Sequence, residues 1–357
     1  MSNYCTVIAE AGVNHNGRLD YALRLIDAAV NAGADIVKFQ TFNSELLASP
    51  KAPKADYQKK QTGNSNQLEM LKNLELSKDD YIKLFAHAKH KNIKCISTPF
   101  DIMSLDFLLG LGMDLIKIPS GEITNGPFLL SIAQKNLPII LSTGMSTLDE
   151  IEKALAVLAY GYYNPISIPK TFNDCWESWQ SEYKKKGILK DKVTILHCTT
   201  NYPAHFDEIN LNAIRTIENA FGIPVGYSDH SLGILVPMVA ASMGATIIEK
   251  HITLDKTMDG PDHSASLEPH ELKTMVEKIR EIGIIKGGFE KTPSKEEFKN
   301  KPIVRRGVYA ARDLEKNSNI TVNDLKMLRP ENDYSPMEAW DILQKPITKN
   351  YIKGEPL

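Results

Sequence analysis

Cysteine is scarce in this chain. The four present (Cys5, Cys95, Cys175, Cys198) have no CxxC spacing and fall well short of a disulfide framework. That excludes a small disulfide-stapled scaffold, and three of the four fall in strand-like runs as small buried residues. Net charge is nearly absent as well: 42 Lys+Arg against 44 Asp+Glu leaves −2. Neither nucleic acid nor an anionic membrane surface is implied by such a balance. The one basic run, Lys184–Lys186, lies in a polar insertion and is expected to be a solvated surface. Long hydrophobic runs are missing too, since none approaches the roughly 20 residues of a membrane span. The first strand-like run begins within a few residues of Met1, with no signal-peptide pattern ahead of it. A reducing cytoplasm is therefore the expected location.

What the chain does have is eight short apolar runs, at 6–12, 35–42, 94–100, 115–122, 138–145, 193–200, 224–230 and 247–254. A helix-like stretch follows each. The first, 18–32, carries Leu19, Ala22, Leu25, Ile26, Ala29 and Val30 on one stripe and stops at Gly33. Eight strand–helix units predict a TIM (β/α)8 barrel over 1–285, an α/β fold whose active site forms where the strands end. Two excursions interrupt the pattern. Residues 43–78 form a long loop expected to hang over the barrel mouth, and 160–190 form a structured insertion at the opposite end. A Gly-, Pro- and charge-rich stretch, 286–302, reads as a linker. Beyond it, 303–357 reads as a small β-rich second domain.

Nearly every run ends in residues suited to anion or metal chemistry. Alternate strand residues share a face, so Lys38 goes with Gln40, Ser228 with His230, and Glu249 with His251. His230 and His251 end neighbouring strands, where two imidazoles can bind a divalent metal with water and substrate completing the sphere. Lys38 and Lys117 sit in otherwise apolar strands. A buried ammonium needs an anionic partner, either Glu10 or Glu122 or a bound anion. Ser97, Thr98, Ser120 and Ser142 add hydroxyls at three consecutive strand ends, a pattern suited to a phosphate plus a carboxylate. Glu10, Glu122 and Asp262 are candidate bases or sugar-hydroxyl acceptors. His15 and Asn16 are expected to shape the first loop, and His263 and His270 to be solvated or capping.

In order, the motifs AEAGVNHNG, DIVKFQTF, ISTPFD, IKIPSGE, LSTGM, LHCTTNYPA, GYSDH, EKHITLDKTMDGPDHSASLEP and LRP…SPM resemble the sialic acid synthase family, whose members make N-acetylneuraminate or N,N′-diacetyllegionaminate. The resemblance spans the chain except 160–190. It implies a C-terminal antifreeze-like (SAF) domain. It also implies condensation of phosphoenolpyruvate with an open-chain N-acetylated hexosamine, giving a nine-carbon α-keto acid and phosphate. The substrate is N-acetylmannosamine or a 2,4-diacetamido-trideoxy-mannose. Carried over by residue, Lys38, Ser97 or Thr98, Lys117, Ser120, Ser142 and Ser228 hold phosphoenolpyruvate. The phosphate-contacting asparagine of some members falls at Thr200 or slips to Asn201. Glu10, Gln40, Glu122, Tyr202 and Asp262 contact the sugar, and Glu122 handles the proton, with Lys117 and Glu10 beside it. His230 and His251 bind Mn²⁺, or Co²⁺ or Mg²⁺. Arg305, or its neighbour Arg306, reaches the sugar of a partner subunit in a domain-swapped homodimer. The family's Lys-Gly turn is Lys316-Asn317 here, and asparagine tolerates the same left-handed conformation.

Two other classes fit parts of the pattern. A Schiff-base aldolase would use Lys117 as nucleophile and need no metal. A non-catalytic carbohydrate- or ice-binding protein would leave the polar strand ends unexplained.

Overall fold

The eight apolar runs form eight parallel strands: β1 Thr6–Gly12, β2 Ile36–Thr41, β3 Lys94–Pro99, β4 Ile116–Ile118, β5 Ile139–Ser142, β6 Val193–Cys198, β7 Val225–Asp229 and β8 Ile247–His251. The computed structural model describes residues 4–55, 59, 66–185 and 187–357. Ladders run in the order β3-β2-β1-β8-β7-β6-β5-β4, and β3 lies beside β4, which brings the sheet round into a barrel. Parallel neighbours cannot be joined by tight turns, so each step needs a crossover. Helices α1 (Leu19–Asn31), α2 (Ser44–Leu47), α3 (Gln67–Leu74), α4 (Lys78–His90), α5 (Ile102–Gly110) and α6 (Gly126–Ala133) serve the first half. The second half uses α7 (Leu148–Tyr163), α8 (Phe172–Lys185), α9 (Ile188–Lys192), α10 (Ala213–Phe221), α11 (Leu235–Met243) and α12 (Pro269–Lys286).

Local chemistry sets the helix ends. On α1, Ala22, Leu25, Ile26 and Ala29 are buried, and Gly33 turns the chain toward β2 with φ +77°. Ser77 with Asp80, and Thr147 with Glu150, form reciprocal caps that start α4 and α7. One apolar core, including Ile8, Leu25, Ile96, Leu105, Ile116 and Ile195, joins barrel to helices. Burial of this kind supplies most of the folding free energy and fixes the strand ends in space.

The two excursions differ. The loop after β2 holds α2 and α3, while residues 56–58 and 60–65 lie outside the described residues. In the second, α7 continues to Tyr163 and α8 packs along it. Trp179 is buried there and donates its indole N–H to Glu152 at 3.0 Å, and Cys175 is buried beside it. This excursion leads into the first residue of β6, the end of the strand remote from the polar residues. The side chains of Lys184–Lys186 lie outside the described residues.

The chain divides after Gly287 into two units. The stretch that reads as a linker is partly helical: Lys295–Val304 (α13) begins inside it and runs two residues past its end, started by the reciprocal caps of Ser294 and Glu297. The second unit then pairs β9 (Gly307–Ala310) with β10 (Leu325–Leu328), antiparallel, and adds a short α14 (Ala339–Ile342). Its own small core includes Val308, Leu314, Ile320, Ile342 and Ile347. Asn317 adopts φ +70°, the left-handed turn expected of it. Among the described residues no helix is long and apolar enough to cross a membrane.

Candidate active site

A cavity of about 540 Å³ opens where the barrel strands end. Strand parity delivers its floor. Lys38 and Gln40 of β2, Thr98 of β3, Lys117 of β4 and Ser142 of β5 all line it. So do Ser228 and His230 from β7 and its end, and Glu249 and His251 of β8. Glu10 from β1 and Asp262 from the loop after β8 complete the polar set.

The charges of the floor are interlocked. Lys38 Nζ lies 2.7 Å from Glu10 Oε2 and 3.6 Å from Glu249 Oε1, with both partners nearly closed to water. Lys117 Nζ is also 3.6 Å from Glu249 Oε1 and donates to Ser142 Oγ at 2.7 Å. Glu249 additionally accepts from Ser228 Oγ at 3.0 Å, and Glu10 accepts from the Gln40 amide at 2.9 Å. Burial opposes the Lys38 charge, but Glu10 and Glu249 outweigh it and raise its pKa. Burial wins at Lys117, which is lowered despite Glu249. Burial also resists ionisation of Glu249, yet Lys117 and Lys38 hold it below its usual value. Burial, reinforced by Glu10, lifts Asp262 to about 7.

Across the floor, His230 and His251 face each other with ring centroids 5.5 Å apart, and Tyr202 stacks on His230 at 4.1 Å. His230 Nδ1 lies 2.5 Å from the Thr199 carbonyl oxygen, which can only accept. Nδ1 therefore carries the proton and Nε2 keeps its lone pair. Burial lowers His230 to about 4, and burial with the neighbouring His230 and lysines holds His251 well below its usual range, so both are neutral at pH 7. His251 Nδ1 is buried without a hydrogen-bond partner, 3.8 Å from Asp262 Oδ2. Two neutral, oriented imidazoles beside a carboxyl fit a divalent ion that keeps positions open. No three metal-ligating side chains converge as a ready-made ligand set among the described residues.

The end of β5 needs glycine. A Cβ on Gly144 would meet Thr200 Cγ2 at 2.6 Å and Ser120 Oγ at 2.9 Å, and the Gly144 N–H donates to Ser120 Oγ at 2.9 Å. Ser120 and Thr200 thus reach the cavity side by side. One wall is apolar. Val13, Phe42, Met70 and Leu74 are buried together there, apart from the main core. Leu47, Leu71 and Phe100 pack against them, and all of these line the cavity.

Several expected positions fall elsewhere. Ser97 faces the other side of β3, where its Oγ is 2.7 Å from Thr41 Oγ1. Strand parity leaves Thr98 inside, bonded by Lys38 at 3.2 Å. Glu122 does not line the cavity. A 3-10 turn, Ser120–Glu122, rotates it outward, and its Oε2 accepts from the Asn125 amide at 2.7 Å. Lys117 accordingly pairs with Glu249 rather than Glu122. Asn201 also points away, toward Glu208 at 3.3 Å, and Thr200 takes the lining place. His263 is fully buried rather than solvated, 2.7 Å from Thr253 Oγ1 and 3.1 Å from Asn16 Oδ1. His270 is exposed. Arg305 and Arg306 are exposed in the second unit. Glu249 is the central residue that the motifs left without a role; its parity with His251 was the available signal.

The family model described as the NeuB family matches residues 25–291. The chain is 47% identical to the N,N'-diacetyllegionaminic acid synthase of Campylobacter jejuni over 98% of this chain and 97% of that protein. It is 44% identical to the N,N'-diacetyllegionaminic acid synthase of Legionella pneumophila, covering 99% and 93%. Among solved structures it resembles the N-acetylneuraminic acid (sialic acid) synthetase of Leptospira borgpetersenii, crystallised with citrate. That likeness has a TM-score of 0.68 at 34% identity, over 84% of this chain and 90% of that one.

Proposed function

The chain belongs to the NeuB family, and from there we propose that it condenses phosphoenolpyruvate with an open-chain 2,4-diacetamido-2,4,6-trideoxy-mannose. The products are N,N'-diacetyllegionaminic acid and phosphate. The observation that carries this reading is the floor itself. Two buried lysines and the hydroxyls of Thr98, Ser120, Ser142, Thr200 and Ser228 share one cavity with two neutral histidines. The names of the two bacterial relatives favour the diacetamido sugar over N-acetylmannosamine.

In this reading Lys117, Ser142 and Ser120 take one anionic group of phosphoenolpyruvate, and Lys38 and Thr98 the other. His230 and His251 hold a divalent ion, Mn²⁺ or alternatively Co²⁺ or Mg²⁺. When bound, such an ion supplies Lewis-acid polarisation of the aldehyde oxygen. Glu10, Gln40, Tyr202 and Asp262 orient the sugar. Carbon 3 of phosphoenolpyruvate bonds to the aldehyde carbon, water adds at carbon 2, and the carbon 2–oxygen bond to phosphate breaks. Positioning by fixed charges and hydroxyls supplies much of the acceleration. The carboxyl groups facing the reacting space are Glu10, Glu249 and Asp262; Glu122 lies outside the lining, its carboxylate accepting from Asn125. The second unit, taken as an antifreeze-like domain, supplies Arg305 or Arg306 to a partner's sugar site.

The test is phosphate release from phosphoenolpyruvate, Mn²⁺ and each candidate sugar. Phosphoenolpyruvate carrying ¹⁸O at the bridging position should deliver its label to phosphate. Label kept in the keto acid would overturn this bond cleavage. The lowered pKa of Lys117 also suits a Schiff-base aldolase. Borohydride trapping at Lys117 with a carbonyl substrate would establish that reading instead.

A further inference from the structure

The apolar wall is a separate cluster, not an extension of the barrel core. Its members come from four parts of the chain: Val13 after β1, Phe42 after β2, Met70 and Leu74 on α3, and Phe100 after β3. Val13, Phe42, Met70 and Leu74 are buried against one another, while Leu47, Leu71 and Phe100 around them line the cavity part-exposed. Apolar surface wetted in that way favours a ligand that covers it.

Its place relative to the chemistry gives it direction. The histidines stand at the ends of β7 and β8, and Lys117 with Ser142 at β4 and β5. Glu10 and Gln40 line the cavity from β1 and β2, the strands directly followed by Val13 and Phe42 of the wall. A sugar whose aldehyde carbon meets phosphoenolpyruvate at the floor therefore runs its far carbons past Gln40 toward α3. Leu71 and Leu74 carry no hydrogen-bonding group there. On α3, Gln67 alone among the lining residues is polar.

We propose that this wall determines specificity for the far end of the acceptor sugar, accepting a methyl group at carbon 6 and disfavouring a hydroxymethyl group. The proposal rests on the synthase reading and adds to it the residues that select the substrate. A hydroxymethyl group against Leu71 and Leu74 loses its water partners and gains none. A methyl group displaces water from apolar surface at no such cost. Differences of one small group in an apolar pocket discriminate by about 10–200-fold. An acetamido group at carbon 4 suits the border of the wall, where Gln67 is the available polar partner.

The experiment compares two acceptors that differ only at carbon 6: 2,4-diacetamido-2,4,6-trideoxy-mannose and its 6-hydroxy counterpart. Wild-type protein should favour the deoxy sugar in kcat/KM by about 10–100-fold. Met70→Gln and Leu71→Asn should each bring that ratio toward unity while leaving KM for phosphoenolpyruvate unchanged. Leu71→Met, apolar and similar in volume, should keep the ratio. Because both sugars are assayed on one preparation, the ratio is independent of the fraction of protein folded. Equal use of both sugars by wild type, or a ratio untouched by both polar variants, would overturn the wall's role while leaving the synthase reading intact. Failure to condense either sugar would overturn the reading, and this inference with it.

Discussion

Lys250 places its ammonium 2.5 Å from Asp229 Oδ2, on the face of β7–β8 turned away from the cavity, and both side chains are closed to water. Lys250 also donates to the Ser231 carbonyl, and Ser231 N–H and Oγ donate to Asp229. The two residues are register partners, and each immediately precedes a cavity histidine. The pair thus ties the strand ends from which His230 and His251 emerge. Lys250→Met would strand the Asp229 carboxylate in the interior and should cost about 3–5 kcal/mol in urea unfolding. Adding Asp229→Leu should recover part of that loss, with Ser231 still lacking its acceptor. A single variant as stable as wild type would contradict this accounting.

Removal of divalent metal should abolish turnover, and Mn²⁺ or Co²⁺ should restore it. His230→Ala and His251→Ala should each lose most activity while keeping the wild-type circular dichroism spectrum. Titration of Mn²⁺ into the stripped protein, followed by calorimetry, should lose its binding isotherm in either variant. Full turnover by chelator-treated protein would refute the metal assignment.

Stability should fall on mild acidification. Burial lowers His15 and His263 to about 4, below their usual range. Between about pH 6.5 and 4 the unfolded chain binds protons that the folded chain refuses. Each such histidine therefore contributes stability that is present above its unfolded pKa and is lost as pH falls through that window. The slope is about 1.4 kcal/mol per pH unit for each proton. His15→Gln should flatten it by about one proton in melts across that range. An unchanged slope would mean that His15 is protonated in the folded protein.

Arginine complementation tests the second unit. Lys117→Ala protein and a variant with Arg305 and Arg306 both changed to Ala should each be inactive. Mixed dimers of the two should regain activity, because one composite site in each is intact. Persistent inactivity in demonstrably mixed dimers would place the arginines' action within their own subunit or remove it.

Strand parity made most of this site legible. Lys38 with Gln40, Ser228 with His230, and Glu249 with His251 all share the face that alternation predicts. The misplacements arise where the strand ends and alternation no longer applies. β4 stops at Ile118, and the 3-10 turn that follows carries Ser120 inward but Glu122 outward. At β3 two hydroxyls were adjacent in sequence, and only the register with β2 separates Thr98 from Ser97. His263 starts a three-residue 3-10 turn too short to show a period, so its burial depends on contacts with Asn16, distant in sequence. The capping of α13 by Ser294 and Glu297 was visible in the sequence, but the surrounding glycines and prolines masked it.

Glu249 stands 3.6 Å from both cavity ammoniums. It fills between the two lysines the electrostatic role of an anion. Arrival of an anionic ligand is then an exchange of counter-ions rather than the filling of a bare positive hole. A site built this way gives up some affinity for an anionic ligand and, in return, releases it more readily.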